Sequence, residues 1–260
     1  MPASLQIAGL TLSAENPAII VPLVGESVDD LVAEARAAVE VGADVIEWRA
    51  DHWLAARAAE AAAVGARDVA DVMSQLRPIT EVTPVLFTVR TVAEGGLGPS
   101  DSHYGALLEE VITQVGADAV DIEHRREGAQ GLFDTARAHG VPTVASFHNF
   151  QATPPLEEIC AILSQQETMG AAVAKVAVMP QDAEDVATLL AATARQAQTA
   201  GVPLITMSMA GAGAISRCAG HLFGSAATFG TTGRASAPGQ IPVGDLKTLI
   251  AGLGQASTES

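Results

Sequence analysis

One pattern of apolar and polar positions returns along this chain: a glycine closing a helical stretch, one or two residues, then a short apolar run. It occurs as Gly42-Ala-Asp-Val-Ile-Glu, Gly116-Ala-Asp-Ala-Val-Asp-Ile-Glu, Gly140-Val-Pro-Thr-Val-Ala, Gly170-Ala-Ala-Val-Ala-Lys and Gly201-Val-Pro-Leu-Ile-Thr. Glycine just past a helix supplies the left-handed cap, and the next strand starts at once. From residue 140 the spacing is about thirty residues, the size of one βα unit with short loops. The pattern predicts strands near 18–24, 44–49, 85–90, 119–123, 143–148, 173–178, 203–208 and 225–229. Helices rich in Ala, Leu, Glu and Arg are predicted near 27–41, 67–77, 103–115, 129–139, 155–169, 182–200, 213–222 and 243–253. Strands alternating with helices in this way predict an α/β fold, a parallel sheet closed as a (β/α)8 TIM barrel in a single domain over 1–260. An open doubly wound sheet competes, but no Gly-x-Gly-x-x-Gly follows the first strand. Residues 1–16 fall outside the repeat as an N-terminal extension, and the polar tail 255–260 is expected to be disordered.

Composition narrows the function. The chain is 48% hydrophobic and 17% charged, enough to bury a sizeable core. Its net charge of -16 repels nucleic acid and anionic membranes, so neither is expected as a partner. An anionic substrate must therefore meet locally gathered cations, which makes the 14 Lys and Arg residues informative. No apolar run approaches about 18 residues and the start lacks a basic leader, so a cytoplasmic protein with free Cys160 and Cys218 is expected.

In such barrels the chemistry gathers at the C-terminal ends of the strands. Lys175 interrupts an apolar strand, pointing either into the barrel or towards the helices. An amine desolvated there is prepared for Schiff-base attack on a carbonyl. The plainer alternative is a lysine paired with a carboxylate such as Glu123. His148 ends the strand from Thr143 and suits proton transfer beside an imine, or is a structural histidine. Glu47, Arg49 and Asp51 share a strand face by their spacing of two and suit a polyhydroxylated ligand, or form an interior salt-bridge layer. Asp121 and Glu123 repeat that spacing. Arg90 ends the third strand. Arg217 follows the seventh, where barrels bind anions, and its fork matches a carboxylate. The Gly- and Pro-rich loop 230–242 suits closure over a ligand, with Ser236 and Gln240 as donors. His52, His103, His124, His139 and His221 show no ligand spacing and are expected at the surface or in caps. No metal and no organic cofactor is expected.

Taken in order, several segments carry a resemblance: Ile46-Glu-Trp-Arg-Ala-Asp-His, Phe87-Thr-Val-Arg-Thr with Glu94-Gly-Gly, Asp121-Ile-Glu, Ser146-Phe-His-Asn-Phe, and Lys175-Val-Ala-Val-Met-Pro. They continue with Met207-Ser-Met to Ser216-Arg and Phe223-Gly-Ser-Ala-Ala-Thr-Phe to Ala235-Ser-Ala-Pro-Gly-Gln. The ordered set resembles the type I 3-dehydroquinate dehydratase family of barrel lyases in the shikimate pathway to aromatic amino acids. The resemblance implies a homodimer that dehydrates 3-dehydroquinate to 3-dehydroshikimate by syn elimination through a substrate imine. It implies Lys175 as the Schiff-base lysine, His148 as general base and then acid, and Glu94 as the carboxylate orienting that histidine. Arg217 would bind the substrate carboxylate near Ser236 and Gln240, while Glu47, Arg49 and Arg90 would hold ring hydroxyls. Two positions depart from the family pattern. Pro22 stands where relatives place a substrate-touching serine, and Asn149, where Asp is common, is expected to lower the histidine's pKa. A class I aldolase and a non-catalytic barrel that binds a carboxylic acid are the competing functional readings.

Overall fold

The computed structural model describes residues 3–57, 64–99, 101–233 and 240–258. After a hairpin of β1 (Ser4–Ile7) and β2 (Leu10–Ser13), eight parallel strands alternate with helices. The strands are β3 (Ala18–Leu23), β4 (Val45–Arg49), β5 (Val85–Thr88), β6 (Ala119–Glu123), β7 (Thr143–Asn149), β8 (Val173–Val178), β9 (Leu204–Ser208) and β10 (Ala227–Thr231). They pair in chain order, β10 turns back onto β3, and a parallel bridge from Leu204 to Ser225 closes the ring. The short β11 (Ile241–Pro242) extends β10 on its other edge. The expected (β/α)8 barrel is the fold.

Helices cover the outside: α1 (Val28–Glu40), α2 (Ala50–Ala56), α3 (Ala66–Leu76), α4 (Asp101–Glu110), α5 (Ala129–His139), α6 (Leu156–Thr168), α7 (Ala183–Ala197), α8 (Ala214–Ala219) and α9 (Val243–Thr258). Local chemistry starts and stops them. Ser27 caps α1 by accepting from the Asp30 N–H, and Asp182 caps α7 through Asp185. Gly116 and Gly140 end their helices at φ +72° and +68°, where a side chain would be strained. Gly201 is different: its N–H donates to Glu167, and a Cβ there would lie 2.8 Å from the same carboxylate.

Strand alternation sorts the side chains. On β8, Ala174, Val176 and Val178 face out against Ile159, Ile162 and Leu163 of α6 and Leu189 of α7. Val173 and Ala177 face in, joining Ile20, Val45, Leu86, Val144 and Ile205 in a dry interior layer. The hairpin belongs to that layer, because Ile7 and Leu12 are buried against it and plug the N-terminal end. The hairpin is therefore packed onto the core through Ile7 and Leu12. Two differences stand out. The helix α2 begins at Ala50, so the strand face expected to carry Asp51 stops at Arg49. The tail expected to be disordered is helical as far as Thr258.

Candidate active site

Above the dry layer the interior turns polar. The open C-terminal end holds a cavity of about 180 Å³, bordered by Glu47, Arg49, Arg90, His148, Lys175, Arg217 and Gln240. Pro22, Phe150, Met207, Met209 and Phe229 complete much of its wall. Ser236 lies outside the described residues.

Lys175 occupies the inward register of β8, with both strand neighbours turned to the helices. Its Nζ donates to Asp121 Oδ2 at 3.2 Å, stands 3.5 Å from Glu47 Oε1 and sits 4.9 Å above the Phe229 ring. It is buried as expected of a desolvated amine, and its carboxylate partners are Asp121 and Glu47 rather than Glu123. Gln166 of α6 braces the same residue from behind: its amide accepts the Lys175 N–H and donates to the Lys175 carbonyl.

A buried network fixes those carboxylates. Arg90 donates to Glu123, Asp121 and the Ser146 hydroxyl, and Ser146 donates to Asp121 at 2.6 Å. Burial opposes charge on Asp121, but Arg90, Lys175 and Ser146 outweigh it and hold the carboxyl below its usual range. Burial likewise opposes the Arg90 charge, and Asp121, Glu123 and Glu94 overcome it. Arg90 borders the cavity, yet these donors are committed to the protein. Glu123 turns away from the cavity to take the Thr91 N–H and hydroxyl. Thr88 donates to Glu47 and steadies it.

His148 ends the inward face of β7. Glu94, in the turn after β5, meets its Nδ1 at 2.8 Å with Oε2, which also accepts the His148 backbone N–H at 3.1 Å. In the tautomer whose Nδ1–H donates to Oε2, Nε2 carries no proton and faces outward from that bond. Burial pushes the Glu94 carboxyl up to about 8. Burial, reinforced by Arg90, Lys175 and Arg49, holds His148 well below the ordinary imidazole value. Both directions favour uncharged partners, as a resting base requires. Phe150 stacks beside the ring with centroids 6.4 Å apart. Asn149 turns away, its Oδ1 accepting the Gln151 and Ala152 N–H groups. His124, expected at the surface or in a cap, is buried with Nδ1 3.1 Å from the Ser146 carbonyl.

Of the described cations that border the cavity, Arg217 has the fewest polar protein contacts. It is 5% exposed, and among the described residues its Nε has no hydrogen-bond partner and its Nη1 has only a 3.8 Å contact with Met207 Sδ. Burial lowers its pKa. The turn before α8 carries Ala210 at φ +55°, a strained conformation for a residue with a Cβ, and Ala210 also borders the cavity. Arg49, at the rim, pairs bidentately with Asp51 at 2.8 Å.

The sequence reading did not name Ser146, Thr88, Gln166 or the methionine and phenylalanine walls as site residues. The i, i+2 step from Ser146 to His148 is the signal that pointed to the first. Gln166 lies on a helix interior and left none.

Fold and site together define a (β/α)8-barrel enzyme with a cation-rimmed cavity at its C-terminal mouth. The family model for type I 3-dehydroquinase matches residues 19–257. The chain is 41% identical to a 3-dehydroquinate dehydratase of Klebsiella pneumoniae, over 96% of this chain and 98% of that one. The crystal structure of 3-dehydroquinate dehydratase from Geobacillus kaustophilus superposes with a TM-score of 0.91 at 36% identity, covering 98% of both chains. A type I enzyme from Clostridium difficile, solved with covalently modified comenic acid, gives 0.89 at 34% identity, covering 98% of this chain and all of that one. The chain belongs to the type I 3-dehydroquinase family, which makes it a lyase of the hydro-lyase class. Family membership decides against the aldolase and the non-catalytic binder.

Proposed function

We propose that the protein converts 3-dehydroquinate to 3-dehydroshikimate by syn elimination through an imine on Lys175, in the shikimate route to aromatic amino acids. The observation that carries this reading is a convergence on one cavity. A buried primary amine, a histidine bonded through Nδ1, and a guanidinium with no ion pair among the described residues all border it. The covalently modified ligand in the Clostridium difficile relative supports a covalent route.

Attack requires a free amine, and Asp121 and Glu47 are the proton acceptors within reach. Addition of Nζ to the ketone and loss of water form the iminium, an electron sink that acidifies the neighbouring C–H. Bare Nε2 of His148 takes that proton, and the electron pair moves into the iminium. As the pair returns, the hydroxyl leaves with the histidine's proton as water. One imidazole serving one ring face accounts for the syn course. Water then cleaves the imine and frees Lys175 and product. Arg217 pairs with the substrate carboxylate, with Ser236 and Gln240 nearby, and Glu47 and Arg49 hold ring hydroxyls. Arg90 supports Asp121 and Glu94 as well as lining the ring site. Pro22 offers no donor there. The reading extends to a cytoplasmic homodimer needing neither metal nor organic cofactor.

Borohydride reduction in the presence of 3-dehydroquinate, followed by peptide mass analysis, tests it. The expected adduct is on Lys175. An unmodified Lys175, or an adduct on Lys247, refutes the proposal.

A further inference from the structure

Asp51 takes no part in the proton transfers above and does not border the cavity, yet it is wholly buried. Its Oδ1 accepts from Arg49 Nε at 2.8 Å. Its Oδ2 accepts from Arg49 Nη2 at 2.8 Å and from the Leu97 backbone N–H at 3.1 Å. One carboxylate thus joins two things: the guanidinium at the end of β4 and the segment 91–98 that carries Glu94.

That segment gains little from apolar packing, since Val92 and Leu97 are exposed at 71% and 52%. Backbone bonds shape it instead. Gly96 N–H donates to Thr91, Gly98 N–H donates to Arg90, and Thr91 N–H donates to Glu123 on the β6 side. The Leu97 bond to Asp51 ties it on the β4 side. A Cβ at Gly96 or Gly98 would overlap the Arg90 carbonyl, so the chain passes tightly over the residues that follow β5, with Leu97 three residues from Glu94. Arg49 spends Nε and one Nη on Asp51, which fixes the plane of the fork and leaves its other Nη directed by that pairing.

Resting on the reading of Arg49 as a ring contact and of Glu94 as the carboxylate that holds His148, we infer that Asp51 is a positioning residue for both. It aims the guanidinium at the substrate and clamps the loop that orients the base. Ring recognition and base alignment share one anchor.

The two arms separate by substitution. Asp51→Asn is nearly isosteric: with its amide oxygen in the place of Oδ2 it still accepts the Leu97 N–H and Arg49 Nη2, while its N–H2 faces Arg49 Nε–H and breaks the bidentate fork. Asp51→Ala removes both arms. For 3-dehydroquinate, Asp51→Asn raises KM at least about fivefold with kcat within about fivefold of wild type. Asp51→Ala raises KM similarly and also lowers kcat by more than about fivefold. In an Arg49→Ala background, Asp51→Asn adds no further rise in KM, because the two residues act as one unit. A merely structural carboxylate would instead add its effect in full. The inference is overturned if Asp51→Asn changes KM less than fivefold, if the double-variant effects add, or if Asp51→Ala leaves kcat intact. Asp51→Asn decides the arginine arm even where Asp51→Ala fails to fold. An Arg49→Ala variant with unchanged KM would remove the reading of the site itself, and the inference with it. A raised KM there with an unaffected Asp51→Asn would sink the inference alone.

Discussion

Arg217→Met should weaken substrate binding and stabilise the fold at once. The guanidinium is 5% exposed, its Nε has no partner among the described residues, and burial already lowers its pKa. A charge-assisted fork on a carboxylate in such a site is worth about 2–3 kcal/mol. Its loss therefore raises KM about 30- to 150-fold, at about 1.4 kcal/mol per factor of ten. The free enzyme sees the opposite sign. A buried charge without an ion pair costs the fold its desolvation, and an apolar side chain of similar length recovers about 1–2 kcal/mol. For a chain of this size that is a rise in Tm of roughly 2–8 °C. Met packs naturally against Met207 and Phe229, which share the cavity wall. The assays are steady-state kinetics following the enone product and thermal unfolding without ligand. A variant with unchanged KM, or one that melts below wild type, refutes the reasoning.

Other expectations test the remaining parts. His148→Ala still forms the imine, trapped by borohydride on Lys175, but eliminates about 100- to 10,000-fold more slowly; fast elimination would show that the base lies elsewhere. Because His148 acts deprotonated and its pKa is held below 6.5, kcat/KM should persist below that pH and fall only as pH drops through the depressed value. An acid limb at or above 6.5 in the free enzyme contradicts that environment. Leu12→Ala, in the hairpin that plugs the barrel, should cost about 2–5 kcal/mol in denaturant unfolding. A cost below about 1 kcal/mol would mean the hairpin is not part of the core.

The local grammar of the chain determined the barrel. Parallel strands covered on both faces read as apolar runs, and helices announce their ends through glycines such as Gly116 and Gly140. Both signals act within a few residues, so strand and helix positions were legible, and the family blocks pointed to Lys175, His148, Glu94 and Arg217. What the tertiary structure decided involves partners far apart along the chain. Lys175 meets Asp121 across 54 residues, Arg90 meets Ser146 across 56, and Gln166 reaches the Lys175 backbone from the helix side. Hydrophobic period cannot tell an inward lysine from an outward one when both faces are covered; only closure of the ring does. The same limit hid Asp51. Its spacing looked like a strand continuing, whereas α2 turns the chain and aims the carboxylate back at Arg49 and across at Leu97. Residues 1–16 carry no repeat, and the burial of Ile7 and Leu12 depends on a barrel floor that exists only after all eight strands have closed.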